Sequence, residues 1–176
     1  MAGAPGRKRN LIQGLHSISR YRPKRTPDLT TTPTILLCED NEIDVELTLN
    51  ALAQFRETGQ VDVVRDGVEA LDYLYRRHNY AGRTPETPLL VLLDVKMPRM
   101  DGLEVLRTIK KDARLKRTPV VMLTSSRQEI DLVGSYEGGA NAYVVKPVDF
   151  SKFAEVVRET GQFWTAVNEP APAGSV

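Results

Sequence analysis

The stretch Leu89-Leu90-Val91-Leu92-Leu93-Asp94-Val95-Lys96-Met97-Pro98-Arg99-Met100-Asp101-Gly102 runs five aliphatic residues straight into one carboxylate. A continuous apolar run reads as a strand covered on both faces, the form strands take inside a parallel sheet. A charge is costly within such a strand, so Asp94 marks the point where the chain leaves the core for a rim. Pro98 and Gly102 then enforce a turn. Asp101 stands at an N-cap position with Glu104 at capping-box spacing, which predicts a helix from there to about Lys111. Taken alone, an Asp in this place does no more than end a strand. Four other strands also end in polar groups, and in an open parallel sheet all carboxyl ends gather on one side, where ligands bind.

Outward from that stretch the same pattern repeats. Ile35-Leu36-Leu37-Cys38 ends in Glu39-Asp40, and Asn41 and Asp44 stand at a cap-like spacing before Val45, Leu47, Leu49, Leu52 and Phe55. That spacing predicts a first helix of about four turns. Val61 to Val64 is a short second strand, and Asp66 with Glu69 opens a helix through Val68, Leu71, Leu74 and Tyr75. His78 to Pro88 is polar, with Gly and two prolines, and reads as a surface loop. Pro119 to Leu123 is a fourth strand ending in Thr124-Ser125, and Ser126 with Glu129 caps a helix through Tyr136 that Gly138 and Gly139 stop. Ala142 to Val145 is a fifth strand closed by Lys146-Pro147, and Phe150 to Val167 a last helix. Five strands alternating with five helices imply a flavodoxin-like (βα)5 three-layer sandwich around a five-stranded parallel sheet, since parallel neighbours need crossovers that cover the faces.

The 176 residues, 41% apolar and 27% charged, suffice for one globular domain with tails. Residues 1–33 read as a basic, disordered arm, 34–167 as the domain and 168–176, rich in Pro, Ala and Gly, as a disordered tail. The arm carries Arg7, Lys8, Arg9, Arg20, Arg22, Lys24 and Arg25 against Asp28 alone, so the overall charge of +1 hides a net +6 arm before a net −5 body. Such an arm attracts anions, and its apolar stripe and lack of early acids are like an organellar transit peptide, though nothing downstream supports that address. No apolar run approaches membrane-spanning length. Cys38, the single cysteine, reads as a small core residue; with no disulfide framework, a cytoplasmic setting is expected.

If the strand ends share one rim, Glu39, Asp40 and Asp94 converge there with Thr124 and Lys146. Three carboxylates so close raise one another's pKa unless a cation enters, and oxygen-only ligands with open positions suit Mg²⁺. Lys146 adds a point charge and Thr124 a hydroxyl, the donors needed around a tetrahedral anion attached to Asp94. The set suits phosphorylation of a carboxylate, with the metal and the lysine offsetting charge on the phosphoryl oxygens.

Glu39-Asp40, Asp94 with Met97-Pro98 and Asp101-Gly102, Thr124-Ser125 and Lys146-Pro147 resemble the receiver domain of two-component response regulators, over residues 34 to about 160. The resemblance implies Asp94 as phosphoacceptor. It implies Mg²⁺ held by Glu39, Asp40, Asp94 and the backbone carbonyl of Lys96, and a phosphoryl group bound by Thr124 and Lys146. Tyr143 falls on the family's switch aromatic, paired with Thr124. The loop before strand three, the Tyr136 to Asn141 stretch and the late Phe163-Trp164 are similar to single-domain regulators partnered with phytochrome histidine kinases. That narrower resemblance implies a sensor histidine kinase such as a bacteriophytochrome as partner. The family's dimers use the fourth and fifth helices and the fifth strand, which implies a homodimer whose surface Phe163 and Trp164 either extend or, as caps of the core, leave alone. Lys96 and Ser126 sit where this family varies, and neither is a carboxylate base, so the lifetime of the phosphoryl group is not inherited.

Other readings separate on single residues. A phosphorelay intermediate or phosphate sink would share every site residue and differ only in output. A dehalogenase-like phosphatase places a second Asp two after its nucleophile, where this chain has Lys96. A nucleotide- or flavin-binding domain wants a glycine-rich loop after the first strand, and Glu39-Asp40-Asn41 repels phosphate. No helix-turn-helix follows the domain, so no specific nucleic-acid partner is expected. The expected output is a change of surface, not turnover of an external substrate.

Overall fold

Along the first strand, β1 (Thr34–Cys38), neighbouring side chains enter different apolar clusters: Leu36 and Cys38 one, Ile35 and Leu37 the other, all four without exposure. The same division splits Val91 and Leu93 from Leu90 and Leu92 in β3 (Leu90–Asp94), and Val120 and Met122 from Val121 and Leu123 in β4 (Val120–Thr124). A strand buried on both faces lies between two layers, which is why these runs are continuously apolar instead of alternating. Each fully buried aliphatic side chain removes roughly 1.5–3 kcal/mol of apolar exposure, an amount largely offset by chain entropy.

The computed structural model describes residues 32–125 and 134–169, all within the unit that begins at Thr31. One face of the sheet is covered by α2 (Gly67–Tyr75) and α3 (Gly102–Lys111), through Tyr73, Leu74, Val105, Leu106 and Ile109. The other is covered by α1 (Glu42–Ala51) and α5 (Phe150–Gln162), through Val45, Phe153 and Val157. Residues 134–137 are helical, here α4, and Gly134 approaches Leu103 of α3. With β2 (Gln60–Val64) and β5 (Ala142–Val145), the five strands pair in parallel in the order β2-β1-β3-β4-β5, the expected flavodoxin-like sandwich.

The helix starts follow the caps. Asn41 Oδ1 accepts from the amides of Ile43 and Asp44 at 2.9 and 3.1 Å, and Asp66 and Asp101 each accept from the amide three residues on, at 2.8 Å. Asp149 caps α5 by accepting from the Lys152 amide at 3.0 Å, and α5 starts at Phe150, where the sequence pattern placed it.

Two helix ends need correction, and one loop gains detail. The first helix ends at Ala51, short of four turns, and Phe55 belongs to a separate 3₁₀ turn (Phe55–Glu57). The apolar pattern ran on because Leu49, Leu52 and Phe55 all bury against the same cluster while the chain turns back towards β2. The segment 78–88 is largely exposed, the expected surface loop, with structure of its own. It holds a 3₁₀ turn (His78–Tyr80), Tyr80 packs edge-on against Tyr73 at 5.2 Å, and Arg83 stacks 3.9 Å over the Tyr73 ring. The last helix loses α geometry at Gln162, and Phe163–Val167 is a π turn. The arm, the Ser126-Glu129 cap and most of the tail lie outside the described residues.

Candidate functional site

The strand register places the rim. Cys38 lies opposite Val64 and Leu93, Asp94 opposite Leu123, and Thr124 opposite Val145, so the next residues of four strands meet at one end of the sheet. Glu39, Asp40, Asp94, Thr124 and Lys146 stand in that row. Carboxylate oxygens of Glu39, Asp40 and Asp94 lie within 4.8 Å of one another. Glu39 and Asp94 are buried, and Asp40 is exposed. This mixture suits a divalent cation that keeps some of its waters and is open to solvent on one side.

Lys146 sits among the acids, its side chain only 9% exposed. Its Nζ is 2.8 Å from Asp94 Oδ1 and 2.9 Å from Asp44 Oδ2, and it also pairs with Glu39 Oε2. Burial works against the ammonium, but the field of Asp94 and hydrogen bonds to Asp44, Asp94 and Glu39 outweigh it and raise its pKa. Burial pushes the Glu39 carboxyl up to about 6 despite Lys146, and burial also raises Asp94 against the opposing pull of Lys146 and the Lys96 amide. Asp44 was legible only as a helix-start residue. Its place one turn past Asp40 is the signal that it reaches the same rim.

The loop after β3 is folded tightly onto the acceptor strand. The Lys96 amide donates to Asp94 Oδ2 at 2.8 Å, which aims the carboxylate, and the Gly102 amide donates to the Val95 carbonyl at 2.8 Å. A Cβ at Gly102 would stand 2.0 Å from the Asp94 carbonyl oxygen, so only glycine permits this approach. Thr124 is buried, and its carbonyl accepts from the Lys146 amide at 2.7 Å. Tyr143 is half-buried against the cluster that contains Leu106 and Met122. Trp164 packs against the opposite cluster, with Phe163 edge-on to it at 5.2 Å and 48% exposed. No helix among the described residues is long and apolar enough to cross a membrane.

The family model described as a response regulator receiver domain matches residues 35–158. Response regulator Rcp1 of Synechocystis sp. is 36% identical over 130 residues, 74% of this chain and 87% of Rcp1. Its solved Mn²⁺-bound form superposes with a TM-score of 0.74 at 34% identity, covering 79% of this chain and 99% of that one. The phosphorylated cyanobacterial phytochrome response regulator RcpA gives a TM-score of 0.75 at 38% identity, over 80% of this chain and 99% of RcpA. The bacteriophytochrome response regulator AtBRR is 52% identical with a TM-score of 0.63, over 79% and 99% of the two chains.

Proposed function

Because the chain belongs to the response regulator receiver domain family, whose members act as signalling proteins, we propose that it takes a phosphoryl group on Asp94 from a sensor histidine kinase of the phytochrome class. The observation that carries this reading is the meeting of Glu39, Asp40 and Asp94 with Lys146 on one rim. Relatives described as phytochrome response regulators support the choice of kinase. A cytoplasmic setting follows from such a partner. Radiolabelled acetyl phosphate with Mg²⁺ tests it: label is expected on Asp94, and a wild-type protein that takes none overturns the reading.

In the transfer, an Asp94 carboxylate oxygen bonds to phosphorus as the donor's P–N bond breaks, and the leaving imidazole keeps the electron pair. The Lys96 amide holds Asp94 in line. Lys146 offsets charge on the phosphoryl oxygens, and the Thr124 hydroxyl donates to one of them. Glu39, Asp40, Asp94 and the Lys96 carbonyl would hold Mg²⁺, which would neutralise charge on the phosphoryl oxygens. The same residues, with water in place of the donor, serve the loss of the group.

Mg²⁺ is expected to bind with a Kd on the order of millimolar, since few protein ligands meet a cation that retains waters. Protonation of Glu39 competes with the metal, so affinity falls by up to about tenfold per pH unit below about pH 6 and levels off above it. Calorimetry from pH 5 to 8 measures this, and Asp40→Ala is expected to weaken binding at every pH. Binding indifferent to Asp40 would place the metal elsewhere.

The arm is expected to be dispensable, since the compact unit begins at Thr31. A chain beginning there should unfold cooperatively and take label as the full chain does.

The output is a change of surface on α4, β5 and α5. A phosphoryl group draws Thr124 towards it, and Tyr143, already against the core, turns further into the space left beneath β4. The reader of that face is a second copy of the chain, through Phe163 and Trp164. Sedimentation is expected to show self-association of the phosphorylated protein, weakened about tenfold by Phe163→Ala, as for an aromatic contact at an interface. Oligomeric state indifferent to both phosphate and Phe163 would show that this face is not the output.

A further inference from the structure

Two neighbouring residues at the start of α2 tie together the loops around the rim. Arg65 extends an arm to the β1–α1 loop, where its guanidinium donates to the Glu39 carbonyl at 3.5 Å and to Glu42 Oε2 at 3.2 Å. Asp66 reaches the β3–α3 loop. It divides its two oxygens: Oδ1 caps α2 by accepting from the Glu69 amide, while Oδ2 accepts from Arg99 Nε at 2.8 Å and also from a terminal guanidinium nitrogen of Arg99. The two ties are unequal. Glu42 is 84% exposed and screened by water, whereas the Asp66 side chain is only 12% exposed, beneath an Arg99 that is itself 57% exposed.

Arg99 is held in an unusual backbone state. Its φ is +63°, a left-handed conformation that suits glycine and that a long side chain adopts only when its surroundings fix it. What fixes it is visible on both sides. A Cβ at Gly67, next to Asp66, would stand 2.4 Å from the Met100 carbonyl oxygen, so the loop is pressed directly on the start of α2. At the other end, the Gly102 amide returns the loop to Val95, one residue from Asp94. The chain from Lys96 to Asp101 is therefore pinned at its root by Asp94 and at its apex by Asp66.

We infer that the Arg99–Asp66 ion pair is a positioning device for the rim, which sets the place of the Lys96 carbonyl and the direction of the Asp94 carboxylate, and through them the affinity for the divalent cation. Neither residue touches the acidic trio's own oxygens in the described contacts, so their action runs through the loop backbone. This device rests on the proposed function, in which Glu39, Asp40 and Asp94 hold a cation. It adds a requirement that the acidic residues do not reveal: the loop must be anchored from a different helix.

The variants follow from the geometry. Arg99→Gly keeps the backbone conformation at ease and removes only the tie. Asp66→Asn keeps an oxygen for the α2 cap and loses the charge. Arg99→Lys restores one charged contact in place of a two-nitrogen grip. Mn²⁺ binding to unphosphorylated full-length protein, measured by calorimetry, and thermal unfolding in EDTA are the two readouts. Arg99→Gly and Asp66→Asn are each expected to raise the Mn²⁺ Kd about tenfold, the low end for groups that orient a metal ligand. Arg99→Lys should recover part of that loss, and the double variant Arg99→Gly, Asp66→Asn should bind no worse than the weaker single one. A purely structural pair would lower the unfolding temperature in EDTA and leave the Kd of the folded protein at the wild-type value. That result overturns the inference, as do fully additive losses in the double variant. Wild-type protein that binds no Mn²⁺ overturns the cation reading itself, so the two failures are distinguishable.

Discussion

Asp94→Asn is expected to abolish labelling by acetyl phosphate or a cognate kinase, at least a hundredfold below wild type, while the folded structure survives. The substitution keeps the side chain's shape and an oxygen that accepts the 2.8 Å hydrogen bond from the Lys96 amide, but a neutral amide is no nucleophile towards phosphorus. It also removes one negative charge from a buried group 2.8 Å from Lys146. Because burial already raises the Asp94 pKa, the neutral side chain relieves part of that cost, and the variant should unfold no more easily than wild type in EDTA. Acid-labile phosphate at wild-type level on the Asn variant would show that another residue is the acceptor.

Lys146→Met is expected to destabilise the metal-free protein by roughly 3–5 kcal/mol at pH 8, the cost of leaving buried charges without their partner. The methionine keeps the apolar stem, so the loss reports on the ammonium. The sign with pH is fixed by the groups left behind. The Glu39 carboxyl is already pushed up to about 6, above its ordinary value of 4.5, and loss of Lys146 pushes it further. Between the unfolded and folded values the native state holds a proton that the unfolded state has released, so stability falls as pH rises through that window. The variant's deficit should shrink on going from pH 8 to pH 5, and Mg²⁺ should recover a part of it at pH 8 by supplying positive charge to the same carboxylates. Urea unfolding with EDTA and with Mg²⁺ measures both. A variant within about 1 kcal/mol of wild type at pH 8 in EDTA would contradict the caging of Lys146 by three carboxylates.

The sequence carried the sheet and the position of Asp94 because both rest on short-range signals. Five aliphatic residues ending in Asp, followed by Pro98, Asp101 and Gly102, have few structures open to them, and each cap used a side chain within three residues of its amide. The residues that complete the rim are different in kind. Asp44 has the same sequence signature whether it only begins a helix or also grips Lys146, and the choice depends on a strand more than a hundred residues later. Arg99 carries no glycine-like mark, so its left-handed turn is set by Asp66 from across the fold. Tyr80 and Arg83 were hidden by the Gly and Pro around them. Those residues do punctuate the chain, but they say nothing of aromatic rings folding back onto Tyr73.

The strand order has a consequence for how the chain is made. The first strand is an interior one, between β2 and β3, with Ile35 opposite both Val61 and Leu90. At a synthesis rate of about 5–20 residues per second, Leu90 leaves the ribosome roughly 3–10 s after Ile35. Throughout that interval an apolar early segment of the nascent chain has one flank of its backbone without a neighbour. A strand that ends with neighbours on both edges is thus open on one of them during translation, and a pause before Leu90 emerges should raise the fraction lost to aggregation more than a pause after it has emerged.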